Sequence, residues 1–126
     1  MVPGNNGLKD QAMVIQWVHD HIATFGGNAS EVTLIGHSAG GASVQFHMMS
    51  PLTRPLFHRG ISLSGTGFNY WSFSSAQRSK ELVKKLARRM RCRSLESASL
   101  LRCFRNKNPV FLVSNQFNLL VSSDFW

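Results

Sequence analysis

The segment that most restricts how this chain can fold runs over residues 32–42. Val32-Thr33-Leu34-Ile35 is a short β-branched and aliphatic run, with the length and composition of a buried parallel strand. It passes without a linker into Gly36-His37-Ser38-Ala39-Gly40-Gly41. A helical pattern follows over about residues 42–49 and stops before Pro51. A strand that turns straight into a helix needs a sharp backbone reversal. Gly36 and Gly40, two residues either side of Ser38, remove the side chains that would collide there.

Other segments supply the elements around this turn. Residues 7–25 are helical in period, with Leu8, Ala12, Ile15, Val18 and Ile22 at three- and four-residue steps. Asn5 or Asn6 is expected to cap that helix with its side chain, and Gly26-Gly27 to stop it in a left-handed conformation. Residues 60–64 read as a second short strand. Leu82, Val83, Leu86, Ala87 and Met90 mark one face of a helix over about residues 75–91, and a shorter helix covers roughly residues 95–102. Val110-Phe111-Leu112-Val113 fits strand and helix equally well. The order helix, strand, helix, strand, helix predicts an α/β layer with parallel strands. Two or three strands leave unpaired edges, so the expected context is the middle of a larger domain.

Composition narrows the function classes. At 126 residues, 43% apolar and 16% charged, the chain is globular, with room for one small core. No apolar run reaches the roughly 18–20 residues of a membrane helix, so no membrane span is expected. Residues 1–7 have neither a basic start nor an apolar stretch and do not read as a signal peptide. Of 14 basic residues, 11 lie between residues 78 and 107, against only Glu81 and Glu96. Such a cluster can mark a nucleic-acid or anionic-membrane surface. The solvated face of surface helices accounts for it better, and no nucleic-acid partner is expected. Cys92 and Cys103 are too few for a four-ligand zinc site; they are either two buried thiols or one short disulfide loop.

The turn at Ser38 carries chemistry. A serine hydroxyl is a poor nucleophile until a base takes its proton and the resulting oxyanion is stabilised. In Gly-x-Ser-x-Gly between strand and helix, the serine is exposed on the strained turn and the next backbone N–H, here that of Ala39, faces the oxyanion. A chance match in this length is roughly 4% from average composition, so the strand–turn–helix context decides. The competing reading of Ser38 is a helix N-cap. In the hydrolases that use this turn, an acid and then a histidine follow the serine in the chain. After Ser38 the acids are Glu81, Glu96 and Asp124, and the histidines, His47 and His58, precede all three. The required order is therefore not satisfied. His37 is expected to point away from Ser38, His47 to be a packed helix residue, and His19 and His21 to face different sides of a helix, a poor metal pair.

These residues support a resemblance. Asn5-Asn6-Gly7-Leu8-Lys9-Asp10-Gln11, Trp17-Val18, Phe25-Gly26-Gly27, Val32-Thr33-Leu34 and Gly36-His37-Ser38-Ala39-Gly40-Gly41-Ala42-Ser43-Val44 occur in order, followed by Ser50-Pro51-Leu52, Leu56-Phe57-His58-Arg59 and Ser64-Gly65-Thr66. Together they resemble a type B carboxylesterase, the family of cholinesterases and insect esterases. The likeness is close over residues 2–71 and looser to residue 107. It implies an internal segment of an α/β-hydrolase fold, acting on a small-molecule ester without cofactor or metal. By position, Ser38 matches the nucleophile, Ala39 an oxyanion donor, and Ser64 a buried serine behind the catalytic groups. Trp71 matches an acyl-pocket tryptophan, and Phe68 beside it suggests an apolar acyl side. The remaining oxyanion donors would lie upstream, and the acid and histidine beyond Trp126. The resemblance also implies a Cys92–Cys103 disulfide, and with it a secretory setting.

Two positions depart from the family. His37 stands where glutamate is common, which bears on substrate preference. Asn28 stands where aspartate is common and creates the glycosylation sequon Asn28-Ala29-Ser30. A non-catalytic adhesion protein of the same superfamily is the competing functional reading; such members typically lose the serine that this chain retains. Residues 1–126 alone are expected to be inactive and poorly soluble. Nothing in the sequence speaks to oligomeric state.

Overall fold

A computed structural model describes residues 4–121. The chain divides into two compact units at Phe73 and Ser74.

In the first unit, helix α1 (Asn6–His21) buries the anticipated stripe: Ile15 is buried, and Leu8, Ala12, Val18 and Ile22 are half-buried. Its start differs from expectation. Asn5 is the N-cap residue but lies in the left-handed region (φ 54°), and its side chain makes no capping hydrogen bond. A capping side chain needs an extended backbone to reach the free N–H groups of the first turn. After His21 the helix tightens into a 3-10 turn, Ile22–Phe25, closed by Gly26 at φ 81°. Gly26 alone adopts the left-handed conformation expected of the glycine pair.

Strands β1 (Thr33–His37) and β2 (Arg59–Leu63) pair in parallel, with Thr33 opposite Arg59 and His37 opposite Leu63. Helix α2 (Ala39–Met49) connects them and packs on one face of the pair. There Gly60 lies so close to Val44 and Met48 that a side chain on it would press into both. The helix begins three residues before its apolar pattern does, because Ala39, Gly40 and Gly41 carry no periodic signal. It ends at Met49, with Ser50 extended ahead of Pro51 as the proline ring demands. The other sheet face leaves Ile35 66% exposed, and Ile61 and Leu63 each 45%. Parallel sheets are ordinarily covered on both faces. This mixture of helices and a small parallel sheet is consistent with a piece of an α/β-hydrolase.

Buried His47 ties this unit together. Its Nδ1 lies 3.2 Å from Thr53 Oγ1 and its Nε2 3.0 Å from the Gln11 carboxamide of α1. The Thr53 hydroxyl donates to the His47 carbonyl at 3.0 Å, so His47 Nδ1–H must be the donor to Thr53. Nε2 then accepts, which a half-turn of the Gln11 amide satisfies. Burial holds the His47 pKa below its ordinary value, favouring this neutral ring. His47 is thus the packed helix residue the sequence suggested.

In the second unit, α3 (Ala76–Arg89) is capped by Ser75, whose hydroxyl oxygen accepts the Arg78 N–H at 3.1 Å. It ends in a left-handed turn. Arg91 sits at φ 54°, its N–H donates to the Arg88 carbonyl, and the Cys92 N–H donates to that of Ala87. That is a Schellman closure with arginine where glycine is usual. Helix α4 (Ser97–Arg105) starts after Glu96, whose carboxylate accepts the N–H groups of Ala98 and Ser99, each at 2.9 Å. The backbone bond from Ala98, then that from Ser99, holds the Glu96 carboxyl below the usual carboxylate range. Residues 110–113 prove helical, within α5 (Pro109–Val121). Ala87, Met90, Cys92 and Leu100 form the core, with Leu86, Cys103, Phe104 and Leu112 against it. Val83, assigned to that face from its spacing, is 41% exposed. Cys92 and Cys103 form a disulfide, with Cα atoms 6.0 Å apart. Among the described residues, no helix is long and apolar enough to cross a membrane.

Candidate functional site

The site candidates gather where the two parallel strands end. Ser38 follows β1 directly, at φ 55° and ψ −117°, a conformation that non-glycine residues rarely adopt. Holding it costs about 1–3 kcal/mol, which the surrounding contacts must over-determine. Its N–H donates to the Leu63 carbonyl at 2.8 Å, and its carbonyl accepts the Ala42 N–H at 3.2 Å. The backbone is therefore pinned on both sides while the residue stays exposed. Ser38 occupies the N-cap position of α2, yet its side chain makes no capping hydrogen bond. Among the described residues the hydroxyl is committed to nothing, which removes the N-cap reading. Ala39 is the first residue of α2, so its N–H has no intrahelical acceptor.

The glycines divide differently from the simple motif. A side-chain carbon on Gly36 would overlap the backbone of Gly40 and Gly41, so β1 and α2 can approach only with glycine there. Gly40 has open space above its Cα, and it faces a cavity of about 390 Å³ between α1, β1 and α2. Its expected steric role is thus absent among the described residues. The close approaches fall instead on Gly41, against the Gly65 carbonyl, and on Gly65, against the Ser38 carbonyl. Neither was visible in the five-residue motif. Their signal lay in the second glycine of the pair and in Ser64-Gly65-Thr66.

Ser64 follows β2 as Ser38 follows β1, one step beyond the last register pair, and it too has a positive φ, 52°. The resemblance implied a buried serine, whereas Ser64 is exposed.

The loop after Ser64 carries the aromatic candidates. Gln45 of α2 accepts the Gly67 N–H at 2.6 Å, and the Ser72 hydroxyl lies 2.8 Å from the Gly67 carbonyl and 2.7 Å from that of Asn69. Asn69 in turn accepts the Thr66 N–H at 2.6 Å. No spacing or motif in the chain signals these anchors. Phe68 is 81% and Trp71 39% exposed, so neither is enclosed in this chain.

The described histidines do not complete a catalytic set. His47 is spent on Thr53 and Gln11, and no hydrogen bond joins His37 or His58 to Ser38 among the described residues. Asp124 lies outside the described residues. No group of three or more potential metal ligands occurs among them.

Known proteins are similar to this chain over most of its length. A family model described as "Carboxylesterase family" matches residues 1–125. Venom carboxylesterase-6 of Apis mellifera is 44% identical over 107 residues, covering 85% of this chain and 19% of that protein. Esterase B1 of Culex pipiens is 44% identical over 124 residues, 98% of this chain and 22% of its own length. Acetylcholinesterase of Danio rerio is 40% identical over 118 residues, covering 94% and 19% respectively. The chain spans about a fifth of the length of these relatives. With the family model matching residues 1–125, the chain belongs to the carboxylesterase family.

Proposed function

We propose that this chain is the nucleophile-bearing segment of a carboxylic ester hydrolase, with Ser38 attacking the ester carbonyl. The observation that carries the reading is a serine at φ 55° between strand and helix, its hydroxyl excused from capping. In this account a histidine elsewhere in the polypeptide takes the Ser38 proton as Oγ bonds to the carbonyl carbon. The Ala39 N–H donates to the oxygen as it becomes negative. The alcohol then leaves with a proton, and water hydrolyses the acyl-enzyme.

Ser64 is assigned the position behind Ser38, where a hydroxyl supports the acid or histidine. Phe68 and Trp71 are assigned to the acyl side. Secretion is part of the proposal, supported by the disulfide. The exposed sheet face and the incomplete triad order support a further statement: residues 1–126 alone do not hydrolyse esters.

Turnover of short-chain aryl esters by the full-length protein, with and without Ser38→Ala, tests this reading. The expected loss is at least about 10⁴-fold, as for removal of other serine nucleophiles. Equal turnover by both forms rejects it. A full-length protein that lacks turnover and also lacks an acid and histidine in its flanking sequence would favour the adhesion-protein reading instead.

A further inference from the structure

We infer that Asn28 is an N-glycosylation site, carrying an oligosaccharide at the end of β1 opposite Ser38. Three observations meet at this residue. First, Asn28-Ala29-Ser30 has the acceptor pattern, with no proline between. Second, Asn28 is exposed, in the short connection between Gly26 and β1, where an attached sugar would project from the surface. Third, its carboxamide is already sorted into two ends. Oδ1 accepts the Ser30 N–H at 2.9 Å, while Nδ2 makes no hydrogen bond among the described residues. The nitrogen to be glycosylated is therefore free, and Ser30 lies on the same turn, tied by its backbone N–H. Donor and acceptor are only two residues apart, so the turn can form before the chain folds.

The chain's chemistry also suits the compartment. The Cys92–Cys103 disulfide forms and persists in oxidising surroundings, where N-glycosylation takes place. In the transfer, Asn28 Nδ2 attacks the anomeric carbon of a lipid-pyrophosphate-linked oligosaccharide. The new C–N bond replaces the bond from that carbon to the pyrophosphate oxygen. The lipid pyrophosphate leaves with the electron pair, and one Nδ2 proton passes to a base of the transferase.

The location is compatible with ester hydrolysis but does not depend on it. Asn28 precedes the N-terminal end of β1, and Ser38 follows its C-terminal end. Five strand residues separate the two ends by roughly 15 Å. A glycan at Asn28 grows from the far end of the strand and leaves the approach to Ser38 open.

The test is peptide mapping of the full-length protein expressed in the secretory pathway of eukaryotic cells. Glycosidase treatment in heavy-oxygen water converts a glycosylated asparagine to labelled aspartate. The expected result is label at position 28, absent without glycosidase, lost in Ser30→Ala and kept in Ser30→Thr. Sampling the membrane-bound and secreted pools together reads a variant even if misfolding retains it in the cell. Unmodified Asn28 throughout the wild-type pool overturns the inference, as does label that survives Ser30→Ala. Because the readout is a mass at one residue, it is unaffected by whether the protein hydrolyses esters.

Discussion

The N–H of Ser38 donates to the Leu63 carbonyl at 2.8 Å, joining the turn after β1 to the last residue of β2. Ser38 and Ser64 consequently leave the sheet side by side, both at positive φ, with Gly65 pressed under the Ser38 carbonyl. The position of the serine is thus set by the neighbouring strand as much as by its own motif.

Gly65→Ala should therefore disturb Ser38 although it lies far away in sequence. The added carbon meets backbone rather than a flexible side chain, so relief requires the turn to move. Overpacking of this kind costs about 1–3 kcal/mol. The expected outcome is a lowered denaturation midpoint together with slower modification of Ser38. Gly40→Ala is the comparison within residues 1–126: it adds a methyl group to open space and should be tolerated. A Gly40→Ala change more damaging there than Gly65→Ala would contradict the assignment of contacts.

The second unit is stapled by Cys92–Cys103, which closes a loop across an 11-residue separation. Chain-entropy arguments assign such a loop about 3 kcal/mol. Replacing both cysteines by serine should lower unfolding stability by that order, and thiol reductant should reproduce the loss in the wild type. Identical urea midpoints for the oxidised and reduced wild type would show that the disulfide is not stabilising.

Arg91 stands at φ 54° in the closure of α3, where residues with a Cβ are strained by roughly 1–2 kcal/mol. Glycine relieves that strain but adds freedom to the unfolded chain. Arg91→Gly should give a net gain of about 0.5–1 kcal/mol. The urea midpoint should rise with the slope unchanged; a fall would mean that the arginine side chain contributes contacts worth more than the strain.

His47 predicts a dependence on pH. Its folded pKa is lowered by burial, so the unfolded chain binds the proton more readily. The stability it contributes is complete above the unfolded value of about 6.5 and declines as pH falls below it. The decline levels off beneath the folded pKa, where both states are protonated. Unfolding measured from pH 8 to pH 5 should show this slope, and His47→Leu should remove that part of it. An unaltered slope in the variant would place the acid sensitivity elsewhere.

Local signals made much of this architecture readable. The α1 stripe followed from three- and four-residue spacing, and the elbow followed from a strand run meeting small residues. Part of what escaped reading depended on partners distant in the chain. Gly41 and Gly65 matter because two backbones converge, which no spacing within residues 36–40 reveals. Gln45, Asn69 and Ser72 look like ordinary surface polar residues until the loop folds back on α2. Residues 110–113 were ambiguous because four apolar residues satisfy either period. Asn5 failed as a side-chain cap because its backbone turned left-handed, a choice that composition does not specify. The cysteine pair was undecided by spacing alone; the family resemblance implied the bond that the structure contains.

Ester hydrolysis requires Ser38 to be a working nucleophile, which covalent labelling reads at the residue itself. The full-length protein would be treated with a fluorophosphonate probe and the adduct located by mass spectrometry. The prediction is one phosphonyl group on Ser38, none on Ser64, and none anywhere after Ser38→Ala. A folded full-length protein that stays unlabelled at Ser38 would rule out nucleophilic catalysis by this serine.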